Sequence, residues 1–274
     1  MMTDGVGFDD RPIGVFDSGV GGLTVVSELA ARLPGESIVY LGDTARVPYG
    51  DKSPETIIRY AREDAAFLVK HNVKLIIAAC NTVSAVALET LKSELDIPVY
   101  GVIEAGAAAV RELSGKVAVI GTPATVASGA YVREIAKVSP ALEVECTACP
   151  LLVPLAEEGI NIWRILSGVF DIYIGKYKNA HPEALLLGCT HYPLFQKEFE
   201  RYFSGKVKII SSAAACADFV AELFERGEIK KNSSGNTIKK EFFVTDAPEK
   251  FEQSASRFIG NEIIRAKSVM LEQQ

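Results

Sequence analysis

Two apolar runs that each end in a cysteine constrain this chain most. Leu75–Thr82 reads Leu-Ile-Ile-Ala-Ala-Cys-Asn-Thr, and Leu185–His191 reads Leu-Leu-Leu-Gly-Cys-Thr-His. A short, wholly apolar run bounded by polar residues is the pattern of a strand buried on both faces. Such strands belong to parallel sheets, whose carboxyl ends face the ligand crevice of an open α/β fold. Cys80 and Cys189 therefore fall at two strand tips, where a thiol meets ligand rather than core. The expectation is that they face each other across one substrate.

The remaining elements fit that frame. Ile13–Asp17 reads as the first strand, and Ser18–Gly22 as a turn into a helix ended by Pro34-Gly35. Ser37–Asp43 is the second strand, and Thr44–Lys52 a loop around Pro48-Tyr49-Gly50. Ser53 reads as an N-cap with Pro54 at the first helical position, and Ile57, Ile58, Ala61, Ala65 and Leu68 as that helix's buried stripe. Further strands are expected at Leu75–Cys80, Val99–Ile103, Val117–Thr122, Glu143–Ala148, Ala184–Cys189 and Val207–Ser211. Helices are expected over 81–95, 105–113, 151–158, 160–177 and 193–203. Lys230–Lys240 is a polar excursion, Glu241–Thr245 an edge strand, and a last helix starts near Pro248. Alternating strands and helices predict an α/β fold with mostly parallel sheets.

The chain also reads as two cycles of one plan. Asp17-Ser18-Gly19 and Gly121-Thr122-Pro123 hold equivalent places, and the two cysteine tips follow at similar offsets. The predicted architecture is two pseudo-symmetric domains with the site in the cleft between them. The first is discontinuous, residues 1–103 plus 213–274; the second spans 104–212.

Composition excludes several classes. The 274 residues are 48% hydrophobic and 23% charged, as in a soluble globular protein. A net charge of −6 without a Lys/Arg block argues against nucleic acid or an anionic membrane as main partner. Apolar runs are strand-sized, well short of a bilayer span. Met1–Arg11 is acidic and polar with no apolar core, so no signal peptide is expected and the cytoplasm is the default. The five cysteines are odd in number, which argues against a disulfide framework. Cys146-Thr-Ala-Cys149 is a lone C-x-x-C, and with three histidines in the chain no metal site is expected. Cys146, Cys149 and Cys216 are read as structural. Ser18–Gly22 matches neither dinucleotide nor P-loop spacing, but a helix start offers N–H groups to a carboxylate.

Each candidate residue has a plainer reading beside the chemical one. A single buried cysteine usually fills space; two at matching tips reverse that inference. A helix start after each thiol is expected to lower its pKa from about 8.5. Asn81-Thr82 and Thr190-His191 serve as caps, and also place donors beside a substrate. His191 is positioned to tune a thiol or carry a proton. Asp17 and Asp43 close strands at the same rim, and Glu157 is a weaker candidate in a helical segment.

Four segments taken together are specific. Phe16–Thr24, Asp43–Gly50, Ala79–Thr82 and Leu187–Pro193 resemble, in order, the signatures of the glutamate racemases of the aspartate/glutamate racemase family. The resemblance covers about Arg11 to Ile264. It implies a cofactor-independent isomerase that interconverts L- and D-glutamate and supplies D-glutamate for peptidoglycan, hence for cell wall and cell shape. It implies that Cys80 and Cys189 are the acid/base thiols, with D-glutamate assigned to Cys80 and L-glutamate to Cys189. Asp17, Glu157 and His191 match residues that assist them. Asp17, Ser18, Tyr49, Gly50, Asn81, Thr82, Thr190 and His191 match substrate-contacting positions, and Thr122 and Thr125 a further polar segment. Val83 departs from the smaller residue usual there, which bears on pocket size. The substrate is a small molecule, no cofactor is expected, and a homodimer is the expected assembly. Alternatives are a related two-cysteine racemase acting on aspartate, a non-catalytic carboxylate-binding protein, and a thiol redox protein built on Cys146–Cys149.

Overall fold

Each apolar run that closes on a polar turn becomes a parallel strand. In the computed structural model, which describes residues 7–233, 235–260 and 263–272, these are β1 (Ile13–Asp17), β2 (Ile38–Gly42), β3 (Leu75–Ala78), β4 (Val99–Gly101), β5 (Lys116–Gly121), β6 (Glu143–Ala148), β7 (Ala184–Gly188), β8 (Lys208–Ser211), β9 (Lys240–Val244) and β10 (Ala266–Ser268). Part of the acidic N-terminal segment, residues 1–6, and Ser234 of the polar excursion lie outside the described residues.

The strands form two sheets, ordered β10-β9-β2-β1-β3-β4 and β6-β5-β7-β8. Every pairing is parallel. The segments β2-β1-β3-β4 and β6-β5-β7-β8 share one order, so the two cycles read in the sequence are the same winding made twice. In each, the order reverses between the first and third strands, which opens a crevice at their carboxyl ends. Asp17 and Cys80 flank that point in one sheet, Thr122 and Cys189 in the other.

Burial on both faces explains the composition of the central strands. Leu75 and Ile77 of β3 enter one apolar cluster with Ile13 and Val15; Ile76 and Ala78 enter another with Phe16. Successive side chains point to opposite faces, so a strand covered twice must be apolar throughout. The helix Pro54–Lys70 covers one face. Ser53 caps it by accepting from the Thr56 N–H at 3.4 Å, and Ile57, Ala61, Ala65 and Leu68 are buried while Ile58 is half-buried. The helix Ser212–Glu225, which sequence reading passed over, lies on the other face with Leu23–Arg32.

Several elements differ from expectation. Glu241–Thr245 is not an edge: β9 runs between β2 and β10, because Ala266–Ser268 adds a further strand outside it. β4 stops at Gly101, where the Ser84 hydroxyl accepts from the Val102 N–H at 3.2 Å and starts the helix Val102–Ala108 early. The segment after Thr122 is two helices, Pro123–Ser128 and Ala130–Val138, divided by Gly129 at φ +66°, a left-handed turn that suits glycine. The stretch 81–95 divides at Ala87, and 160–177 gives Trp163–Ile174 with a separate turn after it. No helix among the described residues is long and apolar enough to cross a membrane.

Candidate active site

The two sheets meet at their carboxyl ends around a cavity of about 310 Å³. Cys80 and Cys189 both line it, 6% and 5% exposed. Cys80 stands immediately before the helix Asn81–Val86, and its sulfur lies 3.8 Å from the Ser18 hydroxyl. Cys189 leads into a tight turn and then the short 3-10 helix Tyr192–Phe195, so the α-helix expected over 193–203 begins only at Gln196 and runs to Tyr202. Its sulfur lies 3.8 Å from Nδ1 of His191, whose Nε2 is 3.1 Å from Glu157. The Glu157 carbonyl accepts from Arg257, and Phe258 meets the His191 ring edge-on, so the C-terminal helix Pro248–Ile259 braces this pair.

The expected lowering of the Cys80 pKa is overturned. Burial pushes the thiol up to about 12, and the Asp17 carboxylate adds to the rise; the Val83 N–H and Ser18 hydroxyl oppose it without winning. A low-dielectric site penalises an anion more than one helix start rewards it. Asp17 is itself raised by burial, against the pull of His191, the Gly19 and Gly22 N–H groups and Thr190. His191 has the opposite balance. Burial favours its neutral form, but Cys189 and Glu157 prevail and raise it to about 10, while His191 draws Glu157 down. The two thiols are thus escorted differently, Cys80 by a hydroxyl and a buried carboxyl, Cys189 by an imidazolium.

Ser18, Tyr49, Gly50, Asn81, Thr82, Thr122, Glu157, Thr190 and His191 also line the cavity. Asp17 and Thr125 do not; they stand behind it. Asp17 accepts from the Gly19 N–H at 3.0 Å and from Thr190 at 3.4 Å. Thr125 joins Thr122 at 2.9 Å, and Thr122 joins Thr82 at 3.0 Å, a hydroxyl cluster shared by the two sheets' loops. The Tyr49 hydroxyl is committed to Asp43 and Asp64, which leaves the rest of the residue to face the cavity. The Asn81 carboxamide accepts from Tyr131 at 2.7 Å and donates to Ser212 at 3.3 Å, leaving one N–H unassigned. Val83 is fully buried in the first sheet's core and does not line the cavity, so its bulk bears on packing and not on pocket size.

Sequence reasoning missed Tyr131 and Ser212, and also the apolar wall of Val47, Pro48, Pro123, Pro150, Val153 and Pro154. A signal existed for part of it, since Pro123 and Pro150 directly follow polar strand tips. Cys146, Cys149 and Cys216 are free thiols packed among apolar residues. Among the described residues no group of three or more His, Cys, Asp or Glu is arranged to hold a metal ion.

Comparison with known proteins gives one consistent result. Residues 18–220 match the family model of the Asp/Glu/hydantoin racemases. The glutamate racemase of Geobacter metallireducens is 46% identical over 266 residues, 96% of this chain and 97% of that protein. The glutamate racemase of Chlorobaculum parvum is 47% identical over 255 residues, 92% and 93% of the two chains. The crystal structure of glutamate racemase from Francisella tularensis in complex with D-glutamate superposes with a TM-score of 0.89 at 39% identity, covering 97% of this chain and 99% of that one.

Proposed function

The chain belongs to the Asp/Glu/hydantoin racemase family, and from that premise we propose that it interconverts L- and D-glutamate by passing the Cα proton between Cys80 and Cys189. The observation that carries the reading is the pair of sulfurs at equivalent strand tips, lining one cavity with different escorts.

Inversion requires a proton to leave one face of Cα and another to arrive at the opposite face. One thiolate takes the proton and becomes a thiol. The C–H electron pair passes into Cα and the carboxylate, and the opposite thiol gives its proton to Cα and becomes a thiolate. The α-proton is a very weak acid, so the base must be close, dry and aimed. A thiol raised to about 12 stays protonated at neutral pH, and it makes a strong base once deprotonated. Cys80 therefore rests as the donor, the state that turnover of L-glutamate needs. On the other side, His191 keeps its proton at neutral pH, 3.8 Å from the Cys189 sulfur, and serves as proton carrier. Glu157 holds that ring from behind, and Asp17 orients Thr190 and the Ser18-Gly19 turn.

Charge that develops on the substrate carboxylate needs preorganised donors. Ser18, Thr82 and Thr190 supply hydroxyls, Asn81 its free N–H, and the Tyr49–Gly50 turn the facing wall; Thr122 and Thr125 fix Thr82. No metal or organic cofactor takes part in this scheme. The product D-glutamate serves peptidoglycan, and the cytoplasm is the location we propose for the enzyme. A homodimer is the assembly we propose, supported by exposed Ile162, Ile165 and Ile172 along one helix; sedimentation at the 29.6 kDa monomer mass would overturn it.

The test is chiral chromatography of L-glutamate incubated with protein dialysed against a chelator. The expected result is a racemic mixture. Tight glutamate binding without conversion would favour the carboxylate-binding alternative, and activity restored only by added metal would remove the two-thiol scheme.

A further inference from the structure

Behind the Tyr49–Gly50 turn lies a buried group that the reaction scheme does not use. Three carboxylates surround one guanidinium. Asp43 closes β2, Glu63 and Asp64 sit on the helix Pro54–Lys70, and Arg46 reaches all three. Asp43 and Asp64 are 0% exposed and Glu63 5%. The Tyr60 ring lies under Arg46 at 4.1 Å and beside the Tyr49 ring at 5.4 Å.

Counting protons decides how this group is arranged. The Tyr49 hydroxyl has one proton but two carboxyl neighbours, a close contact with Asp43 and one with Asp64 Oδ2 at 3.0 Å. Asp43 also accepts from Arg46 Nε at 2.5 Å and from the Thr245 hydroxyl at 2.8 Å, as a carboxylate does. Asp64 receives from Arg46 only at 3.2 Å. If the phenol proton goes to Asp43, an ionised Asp64 would face the Tyr49 oxygen lone pair to lone pair, in a place already short of positive charge. A proton on Asp64 removes both conflicts.

We propose that Asp64 is a neutral carboxylic acid and a positioning residue: its O–H donates to the Tyr49 oxygen, Tyr49 donates to Asp43, and this chain of two bonds fixes the Tyr49–Gly50 turn against the cavity. The electrostatics agree. Burial, then the Asp43 charge, lifts Asp64 well above the usual carboxylate range despite Arg46. Burial and the Asp43 charge keep Tyr49 a neutral phenol. The turn has little slack, since a Cβ on Gly50 would meet Thr122 Cβ at 2.9 Å. A shift of Tyr49 is thus felt at the hydroxyl cluster across the cavity.

The inference rests on the proposed function only in taking this turn as a substrate wall. Its test therefore has a readout independent of turnover. The infrared difference spectrum of wild type minus Asp64→Asn at neutral pH should contain the carbonyl stretch of a protonated carboxylic acid. Asp64→Asn keeps a donor toward Tyr49 and should hold KM for glutamate within about two-fold, whereas Asp64→Leu should raise KM about ten-fold with a smaller change in kcat. Absence of the carboxylic acid band overturns the proposal, as does an Asp64→Asn variant as impaired as Asp64→Leu. Should Asp64→Leu fail to fold, the band and the Asn variant still decide. A wild-type protein that shows the band but converts no glutamate would support the buried proton and refute the substrate reading alone.

Discussion

Gly21 offers a sharp test of how the two halves of the site fit together. It lies in the turn before the helix Leu23–Arg32, on the first sheet's side, and presses against the second sheet's loop. A Cβ there would stand 2.4 Å from the Thr190 hydroxyl and 2.6 Å from both Cε1 and Nδ1 of His191. The backbone is not left-handed at Gly21, so alanine changes contact and not conformational freedom. Relief to ordinary contact distance requires a movement of about 1 Å. The ring cannot yield freely, because Glu157 holds Nε2 at 3.1 Å and Phe258 closes its edge. A displacement of that size at a reacting centre costs about 10²-fold in rate, or about 2.7 kcal/mol of barrier. Gly21→Ala should therefore lower kcat about 100-fold, and the overpacking should cost about 1–3 kcal/mol of stability, which lowers the melting temperature but leaves the protein folded. The loss should also be lopsided. Elimination of chloride from a 3-chloroglutamate needs one base only, Cys189 for the isomer that is L at Cα and Cys80 for the D isomer. The L-isomer elimination should fall at least about ten-fold more than the D-isomer elimination. Equal losses, or none, in a folded variant would refute the placement of His191 as the escort of Cys189.

Other perturbations bear on separate parts of the account. Cys80→Ser and Cys189→Ser should each abolish racemisation by orders of magnitude, since serine is a far weaker base at neutral pH; Cys80→Ser should keep the L-isomer elimination and Cys189→Ser the D-isomer one, as measured by chloride release. Glu157→Gln removes an anion that raises His191, so the alkaline limb of kcat/KM for L-glutamate should move down by about one pH unit. The same group bears on stability: a histidine raised to about 10 stabilises fully below its unfolded value and loses that contribution as pH climbs through 10, so the variant's stability should fall less steeply between pH 7 and 10 in denaturant titrations. Away from the site, Lys74 Nζ pairs with Glu36 at 2.6 Å with both side chains almost fully buried, and it also donates to the Asp9 and Lys230 carbonyls at 2.8 and 3.0 Å. Lys74→Met strands a buried carboxylate and should cost about 3–5 kcal/mol of unfolding free energy, while kcat of the folded fraction stays as in wild type.

What could be read in the sequence follows from what each signal measures. Strands buried on both faces advertise themselves as unbroken apolar runs, which is why β1, β3 and β7 and the cysteines after them were visible. The matched turns at Asp17 and Gly121 made the repeated winding visible as well. β9 looked like an edge because nothing polar or apolar in Ala266–Ser268 marks it as a strand; only tertiary pairing creates it. The early helix at Val102 depends on a side chain, Ser84, that is far off along the chain but packed beneath it. At the site, residue types were legible and their commitments were not. Tyr49 and Asn81 belong to motifs, yet which of their polar atoms are already bonded depends on Asp64, Tyr131 and Ser212 from other segments. The thiol's pKa is not legible for the same reason: a helix start is a local feature, whereas burial and the Asp17 charge are products of the assembled fold.

The central claim is that two thiols act on opposite faces of one carbon. Incubation of L-glutamate with the protein in deuterium oxide, followed at low conversion by chiral separation and mass spectrometry, tests it directly. If Cys189 removes the proton and Cys80 delivers a different one from the opposite side, the D-glutamate formed carries solvent deuterium at Cα, while the remaining L-glutamate keeps its protium. D-glutamate that retains the original protium, or deuterium that enters L-glutamate as fast as D-glutamate forms, would contradict the two-thiol account.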